Sequence, residues 1–281
     1  MPATNHAVHT AKELCTQGYG YAPINPHIVS RASRAFRHFT ERRDFLKDWN
    51  DWGLCRKGED PEELDRGLSQ RKGDGTSADN KFVTHYDPLL SSDFVKTGKI
   101  LTSTEYEFFD AMQILYDVLT ANVTDILIEC DKILKTDMAS LYQLTINENQ
   151  IPYATTALRC LGYPPVENQK GATGHDDRGC LATHLGDEGG WLLGALQNSP
   201  GKMVKISPKQ GQVLLFWGVK ILWASQGRLN PLWHSSRTKP EEYRSAMVGF
   251  HHIPIEGYEV RNAKVAKAHY WAEVHQKYTA A

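Results

Sequence analysis

The chain is short of cysteine, of net charge and of long apolar runs, and each shortage removes a class of protein. Five cysteines in 281 residues, without a Cys-x-x-Cys pair among them, argue against a disulfide framework and against a cysteine-based zinc site. Thirty-two Lys and Arg face 33 Asp and Glu, for a formal charge of -1. No net field then draws the chain to a polyanion, so neither nucleic acid nor a membrane is expected as a partner. The longest apolar run, 213–224, is interrupted by Lys220 and falls short of the roughly 20 residues of a membrane span. The opening MPATNHAVHTAKELC has no basic flank followed by an apolar stretch, which makes an intracellular, cytoplasmic protein the expectation.

What is present is an ordinary globular composition, 41% hydrophobic and 23% charged, enough for a substantial core. The pattern divides one expected domain into an N-terminal part (1–150), a strand-rich core (151–260) and a terminal helix (261–281, on Val265, Tyr270, Val274 and Tyr278). Residues 12–28 read as a first strand with turns. Apolar positions at Val29, Ala32, Ala35, Phe36 and Phe39 predict an amphipathic helix over 29–48, because they recur at three- and four-residue steps. Residues 55–81 are rich in Gly, Asp, Lys and Arg and read as a long loop, either lid-like or plain surface. A helix is predicted over 104–135 from the stripe Phe108, Met112, Leu115, Leu119, Val123, Ile126, Cys130 and Ile133, with Thr104 and Glu107 as its capping box. After Ala154 come seven or so β-type runs broken by Gly and Pro, KILWAS among them. The fold class expected is mainly β with flanking helices, a sandwich or barrel.

Within the strand-rich half, His175-Asp176-Asp177 offers an imidazole and a carboxylate two residues apart, which on an extended chain face the same way. The pattern alone is weak, since His85-Tyr86-Asp87 repeats it. His175 has glycines before it and a strand-like run after it, and His234 stands beyond three further strand-like runs. Two histidines and a carboxylate are the facial ligand set of non-haem iron(II) oxygenases, which leaves three positions open. Spacing alone leaves a zinc hydrolase, or two structural histidines and a solvated Asp, as alternatives.

The stretch LRCLGYPPVENQKGATGHDDRGCLATHLGDEGGWLL, followed by GQVLLFWGVKILWASQGRLNPLWHSS, resembles the iron- and 2-oxoglutarate-dependent dioxygenases related to isopenicillin N synthase. The match runs over 154–256 and more loosely over 12–48. The resemblance implies a double-stranded β-helix, or jelly roll, with His175, Asp177 and His234 as iron(II) ligands at one mouth. It further implies that Arg244, ten positions after His234, pairs with the far carboxylate of 2-oxoglutarate, and that Tyr163 hydrogen-bonds the same co-substrate. The expected activity is O2-dependent C–H oxidation of a small molecule coupled to decarboxylation of 2-oxoglutarate, in specialised-metabolite biosynthesis. The alternative is an oxidase that uses no 2-oxoglutarate. The chain departs from the family pattern at Ala246, where an Arg-x-Ser serine is usual, at Leu161 for an asparagine, and at Val219 for an acid. Strand alternation turns Ser245 away from Arg244, so one hydroxyl contact to the co-substrate is expected to be missing. For the pocket, Trp191, Trp217, Trp223 and Trp233 are candidates, with Tyr19 and Tyr21 near its mouth, although aromatics on strands are more often core.

Overall fold

The computed structural model describes residues 5–41, 67–71, 81–86, 88, 102–147, 156–163, 172, 174–177, 179–188, 190–196, 199–239 and 241–254. Its elements in chain order are α1 (Asn5–Gln17), β1 (Tyr19–Pro23), α2 (Pro26–Glu41), β2 (Gly67–Arg71), β3 (Lys81–Tyr86), α3 (Ser103–Leu134), α4 (Met138–Asn147), β4 (Ala157–Tyr163), β5 (Leu181–Glu188), β6 (Gly190–Leu196), β7 (Ser199–Lys205), β8 (Gln212–Trp217), α5 (Ile221–Ala224), β9 (His234–Thr238) and β10 (Arg244–His251). Every strand pair is antiparallel. One sheet has seven strands in the order β1-β8-β5-β10-β4-β3-β2, the other three in the order β7-β6-β9.

Strand alternation gives the larger sheet two faces. One carries Leu158, Cys160, Leu215 and Trp217, which join Ala7, Leu14, Phe36, Met112 and Leu115 of the helices in the main core. The Trp217 indole N–H donates to the Leu14 carbonyl at 2.9 Å, tying β8 to α1. The other face turns Ala182, Leu214 and Phe216 toward Leu192, Ile206 and Leu232 on the side of the small sheet. Strands β8 and β10 are covered from both sides, and β10 is buried at every position. That is why QVLLFW reads as a continuous apolar run rather than an alternating one.

The helix predicted over 104–135 is α3, but its start lies slightly earlier. The Thr102 hydroxyl accepts from the Glu105 N–H, and the Glu105 carboxylate accepts from the Thr102 N–H at 2.8 Å. The capping box is therefore Thr102/Glu105 rather than Thr104/Glu107. Thr102→Ala is expected to cost about 1 kcal/mol, read as a lower urea midpoint at unchanged slope. By length and composition α3 could span a bilayer; here it buries Phe108, Met112, Leu115, Leu119 and Val123 in the main core, as a core helix does.

Three other expectations are corrected. Residues 12–28 do not open with a strand: Ala7, Thr10, Ala11 and Leu14 form the buried stripe of α1, and the strand starts only after Gly18, whose φ of 87° closes the helix. KILWAS is not a strand, since 221–224 form a short helix while buried Lys220 donates its ammonium to the Ile253 carbonyl at 3.1 Å. A short buried apolar run does not by itself tell the two apart. Residues 67–71, inside the expected 55–81 loop, pair with β3 as strand β2. Lys81 begins β3; residues 55–66 and 72–80 of that loop, 42–48 of the helix expected over 29–48, and the expected helix over 261–281 lie outside the described residues, and α4 was not anticipated.

Candidate metal centre

A two-residue antiparallel bridge builds the site. The His175 N–H donates to the His234 carbonyl at 2.9 Å and the His234 N–H returns to the His175 carbonyl at 3.0 Å, which brings their rings to 4.4 Å between centroids. Asp177 follows on the same segment. Its Oδ1 lies 3.6 Å from His175 Nε2 and its Oδ2 lies 3.8 Å from His234 Nε2. One ligand atom from each of the three residues falls within 4.8 Å of the others. Among the described residues this is the only such group; of the second His-x-Asp copy, Asp87 lies outside them. His85 instead lies on β3, where its Nε2 accepts from Arg159 Nε at 2.6 Å.

The donors are in the states a metal needs. His234 Nδ1 lies 3.0 Å from the Leu232 carbonyl, and placing its proton there leaves the Nε2 lone pair toward Asp177. Burial is the largest influence on His234 and pushes its pKa down, against the pull of the Asp177 charge. Burial alone would raise Asp177, but His234, His175 and Arg159 together hold its carboxyl below the usual value. Asp177 Oδ2 is buried and accepts no hydrogen bond from the described residues, which leaves its lone pairs for a cation. Two imidazole nitrogens and a carboxylate oxygen fit iron(II). The Phe216 ring backs His234 at 4.7 Å between centroids.

Gly218 sets the position of Asp177. A Cβ there would lie 2.4 Å from the Gly179 carbonyl oxygen and 2.8 Å from that of Asp177, and the Asp177 carbonyl also accepts from the Val219 N–H at 2.7 Å. Gly218→Ala is expected to push the Asp177 segment away and weaken iron(II) binding by about tenfold, the low end for disturbing a ligand's support. Equilibrium dialysis under anaerobic conditions reads this directly.

Arg244 and Tyr163 also meet. They are register partners on β10 and β4, both about 1% exposed, and the guanidinium carbon lies 5.0 Å from the centre of the tyrosine ring. A Cβ on Gly190 would stand 2.5 Å from Arg244 Cδ and Nε, so the glycine makes room for the arginine. Ser245 turns to α2, with its Oγ 3.4 Å from Ser33 Oγ, as strand alternation required, and Leu161 is the register partner of Ala246. Sequence reasoning missed Ser236. It follows His234 by two residues on β9, and its Oγ accepts from Arg244 Nη1 at 2.9 Å; the two-residue period from His234 was the available signal. Of the tryptophans, Trp217 is core, while Trp233, beside His234, is 47% exposed. Tyr21 is tied down through its hydroxyl, which donates to the Ile206 carbonyl at 3.0 Å.

No protein-family model and no curated protein matches the sequence. Solved structures match over most of its length. A Shewanella oneidensis protein assigned as an oxygenase superposes with a TM-score of 0.67 at 16% identity, covering 99% of this chain and 97% of that one. A full-length Neurospora crassa protein crystallised in complex with α-ketoglutarate gives 0.63 at 16%, covering 88% and 79%. The auxin-oxidising dioxygenase AtDAO1 of Arabidopsis thaliana, bound to 2-oxoglutarate, gives 0.66 at 13%, covering 90% of each. At these identities the likeness is one of fold. The chain has the architecture on which these oxygenases are built, antiparallel sheets with helices on one side, and the likeness by itself carries no substrate.

Proposed function

We propose that this protein is an iron(II)- and 2-oxoglutarate-dependent dioxygenase, a single domain on the double-stranded β-helix of the isopenicillin N synthase-like family. It couples decarboxylation of 2-oxoglutarate to O2-dependent oxidation of a C–H bond in a small molecule. The observation that carries this reading is the convergence of His175, Asp177 and His234 with a buried guanidinium one strand step away. Ser236, which touches Arg244, lies two residues beyond His234, roughly 7 Å along the strand. That spacing suits a short dicarboxylate with its 2-oxo acid end at the metal and its far carboxylate on the planar fork of Arg244. Tyr163 stacks against the same fork and completes the co-substrate pocket.

Bound iron(II) would supply oxygen activation and redox chemistry at the positions the protein leaves open. His234 and His175 contribute neutral nitrogens and Asp177 the negative charge, while Phe216 keeps water from the His234 side. Hydroxylation is the default outcome on these residues. Support for a small-molecule substrate comes from the neighbours, AtDAO1 by its name and JOX2 by its complex with JA. Free Cys15, Cys130, Cys160 and Cys180 accord with an intracellular setting, and a specialised-metabolite pathway is the context we favour.

The apolar Leu161 and Ala246 beside the Arg244–Tyr163 pair are what favours the second reading, an iron oxidase without 2-oxoglutarate. An anaerobic titration with iron(II) and then 2-oxoglutarate separates the two. The visible charge-transfer band of a chelated 2-oxo acid is expected in the wild type and absent in His175→Ala. Iron binding without the band transfers the assignment to the oxidase, and no iron binding refutes both.

A further inference from the structure

We propose that the hydroxyl of Ser236 donates to the far carboxylate of 2-oxoglutarate, so that Ser236 and Arg244 together hold the end of the co-substrate remote from the metal. The inference rests on the oxygenase reading and adds a residue that decides which 2-oxo acid the site accepts. A short zipper sets Ser236 in place. Its N–H donates to the Ala172 carbonyl at 3.0 Å, and the Ala172 N–H returns to Ser236 Oγ at 2.8 Å. The same two segments carry the bridge between His175 and His234, so Oγ is held in a fixed relation to both imidazole ligands. Side chains alternate along β9, which puts Ser236 on the face of His234 and turns Ser235 and Arg237 the other way. Ser236 therefore stands about 7 Å along the strand from the metal ligand, on the side where Arg244 meets it.

The hydrogen bonds at Oγ leave the hydroxyl one role. Oγ accepts from Arg244 Nη1 at 2.9 Å and from the Ala172 N–H, which engages both of its lone pairs. The hydroxyl hydrogen points away from these donors and meets no acceptor among the described residues, although Ser236 is only 4% exposed. A buried O–H is costly to leave unpaired. Beside a guanidinium the group that satisfies it is an anion, which accepts from the hydroxyl and the arginine at once. Strand β10 supplies no such donor itself. Ala246 follows Arg244 on the same face and ends in a methyl group, while Ser245 turns away to Ser33. The hydroxyl beside Arg244 comes from β9 in the smaller sheet.

The test titrates two probes anaerobically into the iron(II) protein and follows the charge-transfer band. One is 2-oxoglutarate; the other is 2-oxopentanoate, which carries a methyl group in place of the far carboxylate. Ser236→Ala is expected to weaken 2-oxoglutarate binding about tenfold or more, while iron(II) and 2-oxopentanoate bind as they do to the wild type. With Arg244→Met already in place, Ser236→Ala should still cost severalfold, because the hydroxyl meets the carboxylate itself. Unchanged 2-oxoglutarate affinity in Ser236→Ala, or an equal loss for 2-oxopentanoate or for iron(II), overturns the assignment. So does the absence of any cost in the Arg244→Met background, since Ser236 would then act only by orienting the arginine. A wild type without the band overturns the oxygenase reading; a wild type with the band and a silent Ser236→Ala overturns the Ser236 assignment alone.

Discussion

Asp177→Ala is expected to abolish stoichiometric iron(II) binding, raising the dissociation constant by more than about 100-fold, beyond what loss of a supporting partner costs. Asp177 is the only anionic donor in the group. Without it two neutral imidazoles would face a dication in a site walled by Phe216 and lacking a compensating charge from the group. Asp177→Asn keeps the shape and removes the charge, so a similar loss there assigns the effect to electrostatics, while retention would assign it to geometry. Iron content after anaerobic reconstitution, with a thermal melt to confirm folding, decides the matter. A full iron complement in Asp177→Ala would refute the ligand assignment.

Replacing Arg244 is the second large effect. Arg244→Met should weaken 2-oxoglutarate binding about 30-fold or more, since truncating one side of a buried charge pair costs about 2–5 kcal/mol, and iron(II) binding should persist. Arg244→Lys should recover only part of the affinity, because an ammonium keeps the charge but loses the planar fork and its face-on contact with the Tyr163 ring. The titration that follows the charge-transfer band measures both variants. Unchanged affinity would make Arg244 a scaffold cation bonded to Ser236 and would favour the oxidase.

What was legible in the sequence was what depends on local spacing. Strand period told that Ser245 leaves the Arg244 face, and it does, meeting Ser33 on α2. Helical period found α2 and α3, while the capping box moved by two residues because Thr104 and Thr102 offer the same chemistry and only the folded turn selects between them. The strand-like reading of KILWAS failed because a run this short, with Ile221 and Leu222 buried and Trp223 and Ala224 half-buried, carries too few positions for a period to separate strand from helix.

The sequence by itself determined the ligand types, the His-x-Asp step, the distant His234 and the arginine ten residues beyond it, since covalent spacing and side-chain chemistry need no fold to be read. Only the tertiary structure decided which groups share a wall. Ser236 meets Ala172 across 64 residues and Arg159 meets His85 across 74. Such neighbours are fixed by sheet order and register, and register is set by packing the whole sheet face rather than by any short stretch of chain.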